Sequence, residues 1–182
     1  MGRRDKIESM AALFRSIFEV RSDGRVVYRC AYKVTWTCAS GVREKLHYAG
    51  ECFGTSRASG GHWSAGLHGV CGIKEHEVSW LLFNDGLPKR PLTIDHIDGN
   101  VDNNAHANLR AVTASVNQHN QRRAKGYSWS KAAGKWNARI FLNGCLTNLG
   151  LYDTELDARA AYIRAKRHYH PDCGWSIFQA KD

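Results

Sequence analysis

The sequence predicts an α+β protein with two structured parts: a ββα unit, and a three-stranded sheet backed by one helix. The ββα unit is indicated at residues 92–120, where an apolar strand, a glycine-containing turn, a second strand and a capped helix follow one another. The second part is indicated at residues 126–169, where turn signals separate three strand-like segments from a helical one. The chain of 182 residues can bury one ordinary core or two small ones.

The first strand of the ββα unit ends in a carboxylate beside an imidazole. Residues 92–94 are apolar or β-branched, and Asp95 and His96 follow them directly. Because adjacent strand residues point to opposite faces, we expect these two side chains to have different roles. Asn117 lies on the predicted helix, which could bring an amide oxygen next to Asp95. Such oxygen donors favour a hard ion such as Mg²⁺, which takes phosphate oxygens as further ligands.

The rest of the unit has the signals that such a hairpin and helix need. Asp98-Gly99-Asn100 predicts a tight turn, because glycine and asparagine tolerate positive φ. Residues 109–112 read as the returning strand. Either Thr113 or Ser115 can cap the helix that follows.

These residues resemble the HNH nuclease motif in its ββα-metal fold. The resemblance rests on residues 95–100 (DHIDGN), on Asn108 with its two followers, and on Asn117, and it is to the type found in phage and intron homing endonucleases. It implies that His96 is the general base and that Asn108 stabilises the catalytic loop. It also implies that Asp95 and Asn117 bind one divalent ion per active site, Mg²⁺ or Mn²⁺. The last motif position is asparagine rather than histidine, which we interpret as the variant of the homing subgroup.

Alternation in the middle strand of the second part separates two sets of side chains. One set suits packing against the helix: Trp136, Ala138 and Ile140. The other set suits contact with a duplex: Lys135, Asn137, Arg139 and Phe141.

The same segment resembles an AP2-type DNA-binding domain. The matching positions are Gly126, Gly134-Lys135-Trp136, Ala138, Ile140, Leu149-Gly150, Asp153-Thr154 and Ala160-Ala161-Tyr162. The resemblance implies a DNA-facing surface made of Ser128, Ser130, Lys135, Asn137, Arg139 and Asn148. Plant-type members have more arginines at these positions, so we expect phosphate positioning here rather than base reading.

The charge distribution points to double-stranded DNA as the partner. The chain carries +9, and residues 122–170 alone carry +7, with ten basic and three acidic side chains. Arg122, Arg123 and Lys125 form a basic segment after the ββα helix and are predicted to bind DNA. Part of this cluster could instead complement the helix dipole.

Residues 1–77 are predicted to form an α/β lead-in region that could also contact DNA. Residues 5–20 have apolar positions at helical spacing, and we interpret them as one amphipathic helix. His76 is interpreted as structural, with a catalytic role as the alternative. A zinc site from Cys52, His68 and Cys71 is conceivable, but free thiols packed as small hydrophobic groups fit the scattered cysteines better.

The sequence as a whole predicts a metal-dependent endonuclease that hydrolyses phosphodiester bonds in double-stranded DNA, either a site-selective homing-type enzyme or a nickase. The predicted domains are residues 1–77, the nuclease at 78–124 and the AP2-like domain at 125–178. The alternatives are a transcriptional regulator with a structural HNH hairpin and an RNA-binding accessory protein. No apolar run approaches the roughly 18 to 20 residues that span a bilayer. We therefore expect a phage-encoded protein in the cytoplasm of the bacterial host, monomeric or dimeric, without an obligate protein partner.

Overall fold

The computed structural model describes residues 1–38, 41–57, 60–120, 125–142 and 144–171. The chain divides into two compact units, residues 1–112 and 113–182. Arg122 and Arg123, which the sequence assigns to DNA binding, lie outside the described residues. The division into three domains stays a prediction.

The first unit contains short helices and small sheets. Its elements are α1 (Arg3–Ser9), α2 (Ala11–Ile17), β1 (Phe18–Val20), β2 (Val26–Tyr28), β3 (Tyr32–Cys38), β4 (Gly41–His47), β5 (Ser56–Arg57), β6 (Trp63–Leu67), β7 (Val70–Lys74), α3 (Glu75–Phe83), β8 (Leu92–His96), a 3-10 turn (His106–Asn108) and β9 (Leu109–Thr113). The strands pair as β1–β2, β3–β4, β5–β6–β7 and β8–β9.

The single helix predicted for residues 5–20 is two helices and a strand. The break falls at Met10, whose N–H donates to the carbonyl of Ile7 at 3.1 Å. The apolar residues of this segment still pack together, because Ile7, Phe14 and Phe18 are all buried in the same core. Phe18 already belongs to β1, where it pairs with Tyr28, so strand pairing ends the helix before residue 20.

Helix α3 crosses this core and carries part of the site. Val78 and Leu81 of α3 are fully buried. Glu75, at its start, accepts hydrogen bonds from the Val26 N–H at 2.7 Å and from Arg25 Nε at 2.9 Å. A buried carboxylate needs such partners, and these two bonds attach the start of α3 to β2.

The second unit contains a three-stranded antiparallel sheet covered by one helix. Its elements are α4 (Ala114–His119), β10 (Tyr127–Ser130), β11 (Lys135–Leu142), β12 (Cys145–Tyr152) and α5 (Glu155–Tyr169). The bounds of the three strands and of α5 agree with the predicted segments to within two residues. Thr154 caps α5 by accepting from the Asp157 N–H at 3.1 Å. Ala138, Ala158 and Ala161 form the small core between sheet and helix.

Within the part of the chain that the structure describes, no helix is both long and apolar enough to cross a membrane.

Candidate active site

Strand β8 places Asp95 and His96 side by side in the interior of the first unit. Asp95 is 5 % exposed and His96 4 % exposed. Asp95 Oδ2 accepts from Arg110 of β9, from Nε at 3.0 Å and from Nη2 at 2.9 Å. His96 Nε2 instead lies 3.0 Å from Asn104 Oδ1. The carboxylate and the imidazole therefore contact different partners, as alternation along a strand requires.

The β8–β9 loop, residues 97–108, is held by side-chain amides. Asn108 donates from Nδ2 to Asp98 Oδ1 at 2.9 Å and to the Asn103 carbonyl at 2.7 Å, and its Oδ1 accepts from the Asp98 N–H at 3.0 Å. Asn103 donates to the other Asp98 oxygen at 2.8 Å. Gly99 has φ 66°, which the tight turn predicted at this point needs. Asn108 thus contacts the loop rather than the His96 ring, and its assignment to catalysis stays a prediction.

Asn104, the partner of His96, is itself fixed by two neighbouring segments. It is fully buried, its N–H donates to the Gly24 carbonyl at 2.9 Å, and its carbonyl accepts from Ser79 of α3. Gly24 lies so close that an added Cβ would be 2.9 Å from backbone atoms of Asn103 and Asn104. Asn104 is therefore held in place before any substrate arrives, and it orients the His96 ring.

Two further histidines surround His96. His62 precedes β6 and His76 lies in α3, and the ligand nitrogens of all three rings are within 4.8 Å of one another. The Nδ1 atoms of His62 and His76 are 3.1 Å apart. Among the residues that the structure describes, these three histidines are the cluster whose side chains lie close enough together to hold a metal ion. The cysteines Cys52 and Cys71, considered above for zinc, are not in it.

Burial keeps these imidazoles neutral. It is the main cause that lowers the pKa of His62 from 6.5 to about 4, and it lowers the pKa of His76 well below 6.5. Burial also lowers the pKa of His96, against the opposing effects of the Asn104 hydrogen bond and of nearby carboxylates such as Asp98. At neutral pH the His96 ring is therefore a proton acceptor rather than a cation.

The remaining predicted metal ligand lies in the second unit. Asn117 is half-buried on α4. Thr113 caps this helix, because its hydroxyl accepts a hydrogen bond from the Val116 N–H at 3.4 Å. Its role as a ligand stays a prediction.

The residues predicted to face DNA lie mostly on the sheet of the second unit. Ser128 and Ser130 are on β10, Lys135, Asn137 and Arg139 on β11, and Asn148 on β12. Lys125 is exposed just before β10.

The exposed face of this sheet has a basic centre. Arg139 is exposed between the buried Ala138 and Ile140, and it donates to Ser128 Oγ at 3.3 Å. Lys135 is paired with Asp153 at 2.9 Å, with both side chains largely exposed. These groups are accessible to a polyanion, and because they lie opposite α5 they have no packing role.

Sequence reasoning missed three residues of the first-unit site. Arg110 lies within the HNH motif, but no role was predicted for it from the sequence. Its strand, β9, pairs with β8 and so brings the Arg110 side chain to Asp95. His62 and His76 are 34 and 20 positions before His96, a spacing without a local motif. Only the packing of α3 and of the β6 start brings them to His96.

Comparison with known proteins identifies a nuclease domain in this part of the chain. Residues 74–119 match the family described as HNH endonuclease. The chain is also similar to Protein 3.8 of Escherichia phage T7, with 33 % identity over 104 residues, which cover 53 % of this chain and 84 % of that protein. The chain contains an HNH endonuclease domain and belongs to the same family as Protein 3.8. The HNH match contains Asp95, His96, Asn108 and Asn117. No solved structure matches the chain.

The match to the HNH endonuclease family confirms the nuclease-type domain predicted from residues 95–117. HNH nucleases typically depend on a divalent metal and act on DNA. The match begins at Lys74 and therefore includes His76 of the histidine cluster, whereas His62 lies before it.

The depressed histidine pKa values predict that the HNH unit loses stability in acid. Below pH 6.5 the unfolded chain binds protons that the folded histidines do not, so the free energy of unfolding falls as the pH falls. Between pH 7.5 and pH 5, the lowered pKa of His62 corresponds to about 2 kcal/mol, which solvent screening at this half-exposed ring reduces to about 1 kcal/mol. Urea unfolding of His62→Gln should therefore depend less on pH than that of wild type. The control His106→Gln changes an exposed ring, and a pH dependence equal to wild type in His62→Gln would contradict the assignment.

Proposed function

We propose that the protein is a Mg²⁺-dependent endonuclease that hydrolyses phosphodiester bonds in double-stranded DNA, as a site-selective homing-type nuclease or nickase. One observation carries the proposal: a buried, neutral His96, oriented by Asn104, lies beside the buried carboxylate of Asp95. Burying both groups has a free-energy cost, which a role in catalysis would explain.

His96 is suited to take a proton from an attacking water. Asn104 Oδ1 can only accept a hydrogen bond, so its partner His96 Nε2 carries the proton and Nδ1 carries the lone pair. The fixed ring holds that lone pair in one direction, which is what positioned general-base catalysis requires. Because the His96 pKa lies below its ordinary value, the acceptor form dominates at neutral pH.

Asp95 and Asn117 would hold the divalent ion. Their oxygen donors fit Mg²⁺ or Mn²⁺ in preference to softer ions. When bound, the ion supplies Lewis-acid stabilisation of the scissile phosphate and of the leaving oxygen. Arg110 meanwhile neutralises the Asp95 carboxylate inside the protein, and its guanidinium is also suited to a phosphate oxygen.

The basic sheet of the second unit would hold the duplex. Arg139, Lys135 and Asn137 lie on the face of β11 away from α5 and are suited to phosphate contacts. The AP2-like assignment of this unit is supported by its strand and helix order. Site selection would come from this sheet, and the chemistry from His96, Asp95 and Asn117.

The experiment that tests the proposed reaction is an analysis of product ends. Hydrolysis that expels the 3′ oxygen leaves a 5′-phosphate and a 3′-hydroxyl, so DNA ligase should reseal nicked plasmid made by the protein with Mg²⁺. A nicked product that ligase reseals only after phosphatase or kinase treatment would contradict this direction of cleavage.

Removal of Arg110 tests the link between Asp95 and a cation. Arg110→Ala leaves a buried carboxylate without its guanidinium, and we expect a loss of about 2–3 kcal/mol in the free energy of unfolding in EDTA. Mg²⁺ should recover part of this loss, because the ion replaces the missing positive charge.

The matched control for Arg110→Ala is Arg29→Ala, which breaks the exposed pair with Glu19 at 3.4 Å. It should cost less than about 1 kcal/mol and show no recovery by Mg²⁺. An Arg110→Ala protein whose stability is equal in Mg²⁺ and EDTA would contradict metal binding at Asp95.

A further inference from the structure

The histidine cluster of His62, His76 and His96 has more ligand atoms than the proposed reaction uses. That reaction needs one imidazole, yet three rings meet at one point with their nitrogens within 4.8 Å. The ring centroids are 4.5 Å apart for His62 and His76, 5.5 Å for His62 and His96, and 5.4 Å for His76 and His96. Three imidazoles in such proximity are the donor set of a transition-metal site.

The distances are close to those of tetrahedral coordination. With Zn–N bonds of about 2.0–2.1 Å, tetrahedral ligand nitrogens are about 3.3 Å apart and the ring centroids about 5.2 Å apart. The observed Nδ1–Nδ1 distance between His62 and His76 is 3.1 Å. The half-exposed His62 has room to adjust, because it precedes β6 and follows two glycines. Adjustment of His62 can then close the remaining gap between nitrogens that already lie within 4.8 Å of one another.

The surroundings of His96 orient one nitrogen toward the cluster. The Asn104 amide donates from Nδ2 to the Asp102 carbonyl at 3.4 Å, which turns its Oδ1 toward His96 Nε2. Nε2 then donates a hydrogen bond, and Nδ1 carries the lone pair that can bind a metal. A histidine that binds a metal with one nitrogen commonly donates a hydrogen bond to a fixed carbonyl oxygen with the other.

We propose that His62, His76 and His96 bind a borderline transition-metal ion of the Zn²⁺ class, distinct from the Mg²⁺ held by Asp95. Three nitrogen donors disfavour Mg²⁺ and favour Zn²⁺ or Co²⁺, and three protein ligands leave the fourth position to water. The site combines β8, α3 and the residues before β6.

Occupancy of this site inhibits DNA cleavage. The ion takes the same His96 lone pair that would otherwise accept a proton from the attacking water. This consequence rests on the proposed nuclease function, whereas metal binding by the cluster does not.

Metal binding is tested on the full chain, freed of metal with EDTA and kept reduced. Titration with Co²⁺ should give visible bands of one tetrahedral ion per chain, which Zn²⁺ abolishes, without the near-ultraviolet bands of a cobalt–thiolate bond. His62→Ala should weaken Zn²⁺ binding at least 30-fold, and the control His106→Ala, which changes an exposed histidine of the same unit, should bind as wild type does. Equal affinity in His62→Ala, a thiolate spectrum, or no binding at 100 µM metal would overturn the site. Circular dichroism of His62→Ala, with His62→Gln as a second variant, ensures that folded proteins are compared.

Inhibition is tested separately in Mg²⁺ with and without micromolar Zn²⁺. Wild type should lose at least 90 % of its cleavage rate, and the fractional loss should be much smaller in His62→Ala. If Zn²⁺ binds at the cluster and wild type is not inhibited, the inhibitory part of the inference is overturned and His96 is not the base, while the metal site stands.

Discussion

Replacement of His96 by alanine is expected to lower the single-turnover rate of DNA cleavage about 10²- to 10⁴-fold, the usual contribution of a positioned general base. The affinity for DNA should change less than about threefold, because His96 is buried and neutral and thus adds little to phosphate binding. The rate is measured with enzyme in excess over a labelled duplex in Mg²⁺, and the affinity with the same duplex in Ca²⁺ or EDTA.

The control for His96→Ala is His106→Ala, an exposed histidine in the same loop that stacks on Phe83. It should cleave at a rate within a few-fold of wild type. A folded His96→Ala protein that cleaves as wild type does would show that the proton acceptor is another group. Equal loss of cleavage and binding would contradict the separation of chemistry from DNA binding.

The double variant Lys135→Ala/Arg139→Ala is expected to lower DNA affinity about 10- to 100-fold at moderate salt. Each phosphate contact releases roughly one counterion, so the slope of log affinity against log salt should become shallower by about 2. Cleavage at saturating protein should be nearly unchanged, because Lys135 and Arg139 lie on β11 and are not among the residues proposed for the chemistry, His96, Asp95 and Asn117. Binding is measured by fluorescence anisotropy at several salt concentrations.

The matched control for the sheet variant is Arg164→Ala/Arg167→Ala, which removes the same charge from exposed positions of α5. Because α5 covers the opposite face of the sheet, this control should leave the salt slope close to that of wild type. If both double variants weaken binding equally, the second unit binds DNA through its net charge and not through the β11 face.

Much of the second unit and of the β8–β9 hairpin was predictable from local signals. The alternation along residues 135–142 matches the burial pattern of β11, and Thr154 caps the start of α5, because pleats and caps depend on neighbouring residues. The 92–96 strand was found for the same reason. Residues 1–77 were predicted less well, since their strands pair in three separate small groups.

The histidine cluster was not predictable, because no local rule links its members. His76 was interpreted as structural since the sequence places no acidic group beside it, and His62 was one polar residue in a glycine-rich stretch. Their meeting depends on Glu75 binding Arg25 and on Ser79 binding the Asn104 carbonyl, which are long-range contacts. Arg110 was missed because pairing between β8 and β9, not sequence proximity, places it at Asp95.

The most direct test of the proposed nuclease activity is metal-dependent cleavage of supercoiled plasmid. Protein is incubated with the plasmid in Mg²⁺, beside samples with EDTA and with His96→Ala. We expect nicked or linear product in Mg²⁺ and none in either control. Tight binding of the wild-type protein without any cleavage, in Mg²⁺ and Mn²⁺ and on several DNAs, would contradict it and favour a DNA-binding regulator with a structural HNH hairpin.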